Sequence, residues 1–221
     1  MPTTLKIDFV SDISCPWCAI GLSSLNVALQ RLGDQVSAEI EIQPFELNPK
    51  MGPDGQDITE HLTQKYGSTP AQQAEIRETI RQRGATVGFT FRQAGRDRIY
   101  NTFDAHRLLH WAGLPDTQPA GRQLALKQAL LRAYFGEGES PAAHAVLQKV
   151  AVAVGFAAVE VAEILASDRY AAAVREREHK FTQAGIQSVP AVIINDQYLI
   201  SGGQPAEVFE DALRKIAAGA A

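Results

Sequence analysis

The sequence predicts an α/β fold in which both ends of the chain build one domain and an all-helical domain is inserted between them. Three observations predict it: a strand–helix–strand pattern near the N-terminus, two strands and a helix near the C-terminus, and helical patterns throughout the middle. We place the discontinuous α/β domain at residues 1–52 and 184–221, and the inserted helical domain at residues 53–183. Insertion into a surface loop costs little conformational entropy.

The N-terminal pattern begins with a strand. Apolar Leu5, Ile7 and Phe9 alternate with polar residues, which is the period of a β-strand. Apolar residues then recur at helical spacing over residues 20–32, and residues 36–45 alternate again. The segment therefore predicts β–α–β, with both cysteines of the chain at the point where the first strand leads into the helix.

The C-terminal pattern is a hairpin followed by a helix. Residues 191–195, "AVIIN", form a continuous apolar run that is typical of a strand covered on both faces. The turn-prone "NDQ" separates this run from a second strand at residues 198–201. Pro205 opens a last helix. Its buried stripe is expected to comprise Val208, Ala212, Leu213 and Ile216.

Helical patterns fill the middle of the chain. Residues 69–70 and 140–141 are each a hydroxyl residue followed by proline, which is typical of a helix start. Asp168 is expected to cap a further helix. Residues 51–57, "MGPDGQD", predict the linker into this helical region.

The composition indicates an ordinary globular protein. Of 221 residues, 45% are hydrophobic and 21% are charged, and the net charge is −4. No block of like charge is present, so neither a nucleic-acid partner nor a membrane partner is expected. The N-terminal segment has no basic stretch followed by an apolar run, and the longest apolar run, residues 150–159, is too short to cross a bilayer. We therefore expect a cytoplasmic protein.

The two cysteines form the motif Cys15-Pro16-Trp17-Cys18. In a reducing compartment such a pair is more often redox-active or metal-binding than a structural disulfide. At a helix N-terminus, free N–H groups and the helix dipole favour a thiolate on the first cysteine. Cys15 is then the attacking sulfur and Cys18 the resolving sulfur. Pro16 fits the first helical turn because it has no N–H to lose, and with Trp17 it shapes the surroundings of the Cys15 sulfur.

Two other roles for the cysteine pair stay open. A structural zinc site needs two further ligands, and "HRLLH" offers His106 and His110 one helical turn apart. However, 87 residues lie between Cys18 and His106, far outside the compact zinc-finger spacing. The other alternative is an inert pair of buried thiols. The two histidines also have a simpler interpretation, as residues that form hydrogen bonds in helix packing.

A further feature is Val189-Pro190, directly before the apolar strand. Proline is tolerated at the start of a strand because its missing N–H is not yet needed there. The alternative is a cis peptide bond, which is almost confined to proline. In the cis form the backbone of Val189 would lie beside the dithiol and offer hydrogen bonds to an incoming polypeptide or thiol.

The motifs in this order resemble the DsbA-like branch of the thioredoxin superfamily, and more narrowly its FrnE-like group. They span nearly the whole chain. They are "SDISCPWCAIG" (11–21), "QPFELNP" (43–49), "NTFDAHRLLHWA" (101–112), "AYFGEG" (133–138), "GIQSVPAVIIN" (185–195) and "ISGGQP" (200–205).

The resemblance implies a thioredoxin-like fold with a helical insertion over the active site, thiol–disulfide oxidoreductase activity, and a cis bond before Pro190. It also implies that Asn101, His106 and Phe135 come from the insertion and face the catalytic cleft. The chain departs from the family's pattern in two ways. It shows no secretory signal of the periplasmic members, and it has no third or fourth cysteine for a second redox pair.

Two related families are similar in overall plan but use a different chemistry. These are the 2-hydroxychromene-2-carboxylate isomerases and the kappa-class glutathione transferases, which usually carry serine where Cys15 stands. Serine cannot form a disulfide with Cys18, so the intact dithiol favours redox chemistry.

We therefore predict a protein disulfide oxidoreductase that oxidises, reduces or isomerises disulfides. Its partners are expected to be protein or small-molecule thiols and disulfides, with glutathione as a candidate co-substrate, and the protein is expected to be a monomer or a homodimer. No cofactor or metal is expected besides the redox-active disulfide. The alternatives are a glutathione-dependent isomerase or transferase, and a non-catalytic zinc-binding or chaperone-like module. The residues predicted to form or shape the site are Cys15, Pro16, Trp17, Cys18, Val189 and Pro190.

Overall fold

The computed structural model of the protein describes residues 3–219. A four-stranded sheet is built from both ends of the chain, and helices from the middle pack against it. In chain order the elements are β1 (Thr3–Ser11), α1 (Pro16–Leu32), β2 (Val36–Pro44), β3 (Gln56–Asp57), α2 (Ile58–Tyr66), α3 (Pro70–Thr86), β4 (Arg98–Ile99), α4 (Phe103–Ala112), α5 (Gln123–Leu131), α6 (His144–Ala153), α7 (Ala158–Leu165), α8 (Ala171–Gln183), β5 (Ala191–Ile194), β6 (Tyr198–Ser201) and α9 (Ala206–Ala217). A 3₁₀ turn at Gly33–Gln35 follows α1, and a π-helical segment at Arg132–Glu137 extends α5.

The main sheet has the strand order β2-β1-β5-β6. β1 pairs in parallel with β2 and antiparallel with β5, which pairs antiparallel with β6. The register aligns Ile7 with Ile40 and Phe9 with Ile42, so the alternating apolar residues of the two parallel strands share a face. Asn195 and Asp196 turn the C-terminal hairpin with φ angles of 52° and 56°, a conformation that Asn and Asp tolerate. The predicted β–α–β start, the C-terminal hairpin and the α/β class are confirmed.

The helix α1 begins directly after Cys15 and ends at Gly33, whose φ of 52° suits glycine. It packs against α9. The predicted buried stripe of α9 was wrong at Val208, which is 42% exposed, because the fully buried residue on that turn is Phe209. Leu213 is buried as predicted.

The helices from the middle of the chain start partly where the sequence predicts. At α3 the capping box is present: the Thr69 hydroxyl accepts from the Gln72 N–H, and the Gln72 side chain accepts from the Thr69 N–H. The predicted starts at residues 140–141 and at Asp168 were wrong by three residues and by two residues, respectively. Ser140 accepts from the Ala142 N–H in a local turn, which delays α6. No helix in the described residues is both long and apolar enough to cross a membrane.

One large hydrophobic core joins the sheet to the helices. It combines side chains of β1 and β2, such as Phe9 and Ile42, with side chains of α4 and α5, such as Leu108 and Leu126. A smaller core lies around Val10, below the loop that leads into β5. The helical region therefore does not bury its apolar faces by itself, and the division into a discontinuous domain and an inserted domain stays a prediction.

Gly21 lets α1 approach the segment before β5, which gives a testable prediction. A Cβ atom at Gly21 would lie 3.0 Å from Cγ of Pro190 and 3.3 Å from Cα of Gly203. Gly21→Ala should therefore lower the free energy of unfolding by about 1–3 kcal/mol through overpacking. Urea unfolding measures this. Gly52→Ala is the matched control, since nothing lies within 4 Å of its Cβ position; equal losses in both variants would contradict the close contact.

Candidate active site

Cys15 caps the N-terminus of α1, in the loop that follows β1. Its backbone is extended (φ −94°, ψ 113°), and Pro16 is the first helical residue. The N–H of Cys18 donates to the carbonyl oxygen of Cys15 at 3.1 Å, which closes the first turn. Both cysteines are free thiols, and they are 3% and 0% exposed respectively. The local sequence therefore places two thiols side by side where the helix dipole is positive.

The two thiols differ in acidity. The pKa of Cys15 lies below its ordinary value, chiefly because the Cys18 side chain donates a hydrogen bond to its sulfur; burial opposes this, and backbone N–H groups of Cys18 and Trp17 add to it. The pKa of Cys18 lies well above its ordinary value, first because of burial and then because of the hydrogen bond and charge of Cys15. The arrangement favours a thiolate on Cys15 and a protonated thiol on Cys18.

Val189 and Pro190 lie beside the Cys15 thiol. The Val189-Pro190 peptide bond is cis, which confirms the isomer that the family resemblance implies. The Cys15 thiol donates to the carbonyl oxygen of Val189 at a distance of 3.5 Å. The carbonyl oxygen of Pro190 in turn accepts from the N–H of Gly202, beyond β6. The backbone before β5 therefore forms one wall of the site.

Asp12 lies behind the motif and is fully buried. Its Oδ2 accepts from the Ser14 hydroxyl at 2.6 Å and from the Leu47 N–H at 2.8 Å. Its Oδ1 accepts from the Thr102 hydroxyl at 2.8 Å, and His106 Nε2 lies 3.4 Å away. Burial disfavours the carboxylate, but these neighbours, His106 foremost, outweigh burial and hold the pKa of Asp12 far below its usual range. A negative charge is therefore fixed behind the dithiol.

Lys127 of α5 supplies a buried amine in the same region. The residue is 0% exposed, and its Nζ has no hydrogen-bond partner among residues 3–219. Burial lowers the pKa of Lys127 to about 8, while the charges of Cys18, Asp12 and Cys15 oppose this shift. A buried amine without a hydrogen-bond partner lowers the stability of the fold, so its position close to the thiols calls for an explanation.

Sequence reasoning missed both buried charges. A signal for Lys127 was present: Gln123, Leu126, Leu130 and Leu131 of α5 are buried, and Lys127 falls on the same helix face. Asp12 had a weaker signal, an acidic residue between an apolar strand and the helix that carries the cysteines. Nothing in the sequence indicated that one would come near the other, because α5 lies more than 100 residues further along the chain.

The three residues expected to face the cleft lie in different places. Phe135 lines a cavity that Pro16 also lines, so it is near the motif. Asn101 lies two residues before α4, and its Oδ1 accepts from the Phe103 N–H at 2.8 Å. His106 is 1% exposed and lies against Asp12, so it faces the interior rather than an open cleft. The expectation that His106 faces the cleft was therefore wrong, because its ring contacts the buried carboxylate of Asp12.

The histidines do not join the cysteines in a metal site. The ring of His110 packs against Tyr170 with a centroid distance of 5.6 Å, while His106 faces Asp12. Within residues 3–219, no three His, Cys, Asp or Glu side chains are grouped as metal ligands. The pairing of CxxC with HxxxH that the sequence left open is therefore not assembled in the fold.

The predicted family is supported by a model of the DSBA-like thioredoxin domain, which matches residues 6–214. Among solved structures, a probable DsbA oxidoreductase from Streptomyces coelicolor is 35% identical. The match covers 97% of this chain and 90% of that chain, with a TM-score of 0.86.

Two more distant structures share the fold. A 2-hydroxychromene-2-carboxylate isomerase is 14% identical, with 97% of each chain covered and a TM-score of 0.72. The cytosolic disulfide reductase DsbM from Pseudomonas aeruginosa, determined with GSH, is 16% identical; 97% of this chain and 98% of that chain are covered, with a TM-score of 0.62. The thioredoxin-like class predicted from the sequence is confirmed, and this chain belongs to the family of DSBA-like thioredoxin domains.

Proposed function

We propose that this protein is a thiol–disulfide oxidoreductase in which Cys15 is the nucleophile and Cys18 the resolving thiol. The observation that carries the proposal is the position of two free thiols in the first turn of α1, beside the Val189 carbonyl oxygen, and the directions of their pKa shifts agree with it. Thiol–disulfide exchange needs a thiolate to begin and a second thiol held in reserve. DsbA-like members of the family act on thiols and disulfides, which supports the same class of reaction here.

The reaction proceeds in two exchanges. The Cys15 thiolate attacks one sulfur of a substrate disulfide, a bond forms between them, and the other substrate sulfur leaves as a thiolate. Cys18 then loses its proton and attacks the Cys15 sulfur, which releases the second substrate sulfur. Two electrons pass from the protein dithiol to the substrate, and the protein ends as the Cys15–Cys18 disulfide. The reverse sequence oxidises a substrate dithiol.

The surrounding groups support each exchange. The Val189 carbonyl oxygen accepts from the Cys15 thiol and so positions its sulfur. Pro16 and Trp17 occupy the first turn, where the Trp17 N–H helps to stabilise the Cys15 thiolate. The positive charge of Lys127 lowers the pKa of Cys18 against the effect of burial. We propose that Lys127 assists the second exchange by stabilising the Cys18 thiolate as it forms.

Glutathione is a candidate co-substrate, since DsbM, a protein of this fold, was determined with GSH. A glutathione-dependent isomerase or transferase would use Cys15 alone. Turnover that survives Cys18→Ala would favour that alternative, because only disulfide cycling needs the second thiol.

The first prediction concerns the two cysteines. Cys15→Ser should reduce insulin reduction to the uncatalysed rate, because the hydroxyl is not ionised at neutral pH and cannot form a disulfide. Cys18→Ser should still form a mixed disulfide with the substrate but should not release it, because the resolving thiol is absent. Insulin turbidity and mass spectrometry of trapped adducts measure these outcomes. A fully active Cys15→Ser protein would refute the proposal.

The second prediction concerns the origin of the thiolate. Since the hydrogen bond from Cys18 is the chief cause that lowers the pKa of Cys15, Cys18→Ala should raise that pKa. The thiolate absorbance at 240 nm should then appear at higher pH than in the wild type, and iodoacetamide should alkylate Cys15 more slowly at neutral pH. Cys15→Ser serves as the control, because the remaining Cys18 should ionise only at high pH. An unchanged midpoint in Cys18→Ala would rule out this cause.

The third prediction concerns Lys127. Lys127→Met should raise the free energy of unfolding by about 1–3 kcal/mol at pH 7, because it removes a buried amine that has no partner among the described residues. It should also slow release of the mixed disulfide several-fold, because Cys18 loses the nearby positive charge. Urea unfolding and rapid-quench kinetics measure the two effects.

The stability gain of Lys127→Met should depend on pH. The pKa of Lys127 is about 8 in the folded protein against 10.5 ordinarily, so between these values the unfolded chain holds a proton that the folded chain has lost. Wild-type stability then rises with pH relative to Lys127→Met, and the difference shrinks from pH 8 to pH 10.5. Lys149→Met is the control, because this exposed lysine should change stability by less than about 0.5 kcal/mol. Equal stability and equal release rates for wild type and Lys127→Met at pH 7 would exclude this role.

A further inference from the structure

A cavity of about 240 Å³ opens beside the cysteine motif. Pro16 forms part of its wall, so the cavity begins at the residue that follows Cys15. Neighbouring Cα atoms are about 3.8 Å apart, so a molecule that contacts Pro16 in the cavity lies close to Cys15. The remaining walls come from α2, α3, the loop before β4, and Phe135.

Arginine dominates the charge of this cavity. Its lining includes Arg77, Arg81, Arg92 and Arg96, but only one carboxylate, that of Glu78. Glu78 accepts two hydrogen bonds from Arg81, at 2.6 and 2.8 Å, so these two charges neutralise each other. Arg77 and Arg96 have no carboxylate partner in the part of the chain that the structure describes. An excess of positive charge therefore lines the cavity of a protein whose net charge is −4.

Arg96 is held in a fixed position. Its guanidinium donates to the Ser14 carbonyl oxygen at 2.5 Å and to the Tyr134 hydroxyl at 3.3 Å. It also lies over the rings of Tyr134 and Phe135, at 5.6 and 5.4 Å from their centroids. A guanidinium fixed in this way loses little side-chain entropy when it binds an anion. Its hydrogen bond to Ser14 places it beside the residue that precedes Cys15.

The rest of the lining is largely apolar. Ile58, Leu62, Ile80, Phe91 and Phe135 contribute to it. Ile76, another lining residue, is 51% exposed at the rim. A ligand that matches this surface has an apolar part and a negative charge. The volume is below the roughly 300–1,000 Å³ that is typical of pockets for drug-sized molecules, so it has room for a single small group.

We propose that this arginine-lined cavity binds one half of a small disulfide that bears a carboxylate on an apolar group, and so selects such disulfides as substrates. This inference rests on the proposed thiol–disulfide activity. The Cys15 thiolate attacks the sulfur of the half seated in the cavity, and the other half leaves as a thiolate. Cys18 then loses its proton and attacks the Cys15 sulfur, which releases the seated half as a second thiolate. Two electrons pass from the protein to the small disulfide.

The experiment compares two small disulfides with the fully reduced protein in a stopped-flow instrument. The probe 5,5′-dithiobis(2-nitrobenzoate) carries a carboxylate on each aromatic ring, whereas 4,4′-dithiodipyridine is uncharged at neutral pH. Arg77→Gln should lower the second-order rate constant for the carboxylated probe about three- to fivefold, as expected for loss of a solvent-exposed ion pair. It should leave the rate constant for the neutral probe unchanged. Added salt should reduce the rate of the wild type with the carboxylated probe towards that of the variant.

Further variants act as controls. The double variant Glu78→Gln/Arg81→Gln removes two charges that neutralise each other, so its effect should be smaller than that of Arg77→Gln. Arg214→Gln removes an arginine from α9, outside the cavity lining, and should affect neither probe. Arg77→Lys should retain most of the rate with the carboxylated probe, because it keeps the charge.

The outcomes separate this inference from the proposed function. If the reduced wild type reacts with neither probe, both fail. If it reacts with both, and Arg77→Gln slows both equally or neither, only the cavity inference fails. If Arg214→Gln lowers the rate constant for the carboxylated probe as much as Arg77→Gln does, the effect is one of overall charge, and the cavity inference also fails. If Arg77→Gln lowers the rate constant only for an acidic peptide disulfide, and not for the small carboxylated probe, the cavity binds polypeptide substrates and the inference fails.

Discussion

The buried carboxylate of Asp12 is the charge on which the arrangement of the active site depends. A charge without solvent must be met by donors, and Asp12 finds them in three separate parts of the chain: Ser14 before the cysteine motif, Leu47 after β2, and Thr102 at the start of α4. These bonds hold the segment after β1 against the helical region. The position of the motif relative to the helices therefore follows from satisfying one buried anion.

The same anion shapes the chemistry of the thiols. Asp12 repels a negative charge on Cys15, so the lowered pKa of that thiol must come from elsewhere, and it comes first from the hydrogen bond of Cys18. The charge of Lys127 lowers the pKa of Cys18, although burial and Cys15 raise it further. The Lys127 amine is buried and has no hydrogen-bond partner among residues 3–219. Two buried charges of opposite sign thus act on the two thiols in opposite directions. The pKa values of the two thiols are therefore set first by burial and by the hydrogen bond between them, and then by the charges of Asp12 and Lys127.

Much of this fold could be predicted from local patterns. Strand alternation, the helix that starts after Cys15 and the hairpin after Pro190 all follow from rules that act over a few residues. The errors and omissions lie where distant segments decide. The family resemblance implied that His106 faces the cleft, and nothing local showed that Asp12 would contact it instead. The amine of Lys127 comes close to the cysteine motif only when α5 packs near it.

Ser14 links the buried charges to the cavity outside them. Its N–H and hydroxyl donate to Asp12, while its carbonyl oxygen accepts from Arg96 on the cavity wall. The residue next to Cys15 is therefore held from the interior by an anion and from the cavity by a cation. The hydrogen bonds of Arg96 to Ser14 and Tyr134 both come from Nη1, and the guanidinium has further N–H donors that a carboxylate in the cavity can accept from. In our proposal, the side chain that holds the residue before Cys15 is also one that binds the substrate carboxylate, which would link substrate selection to the position of the reactive thiol.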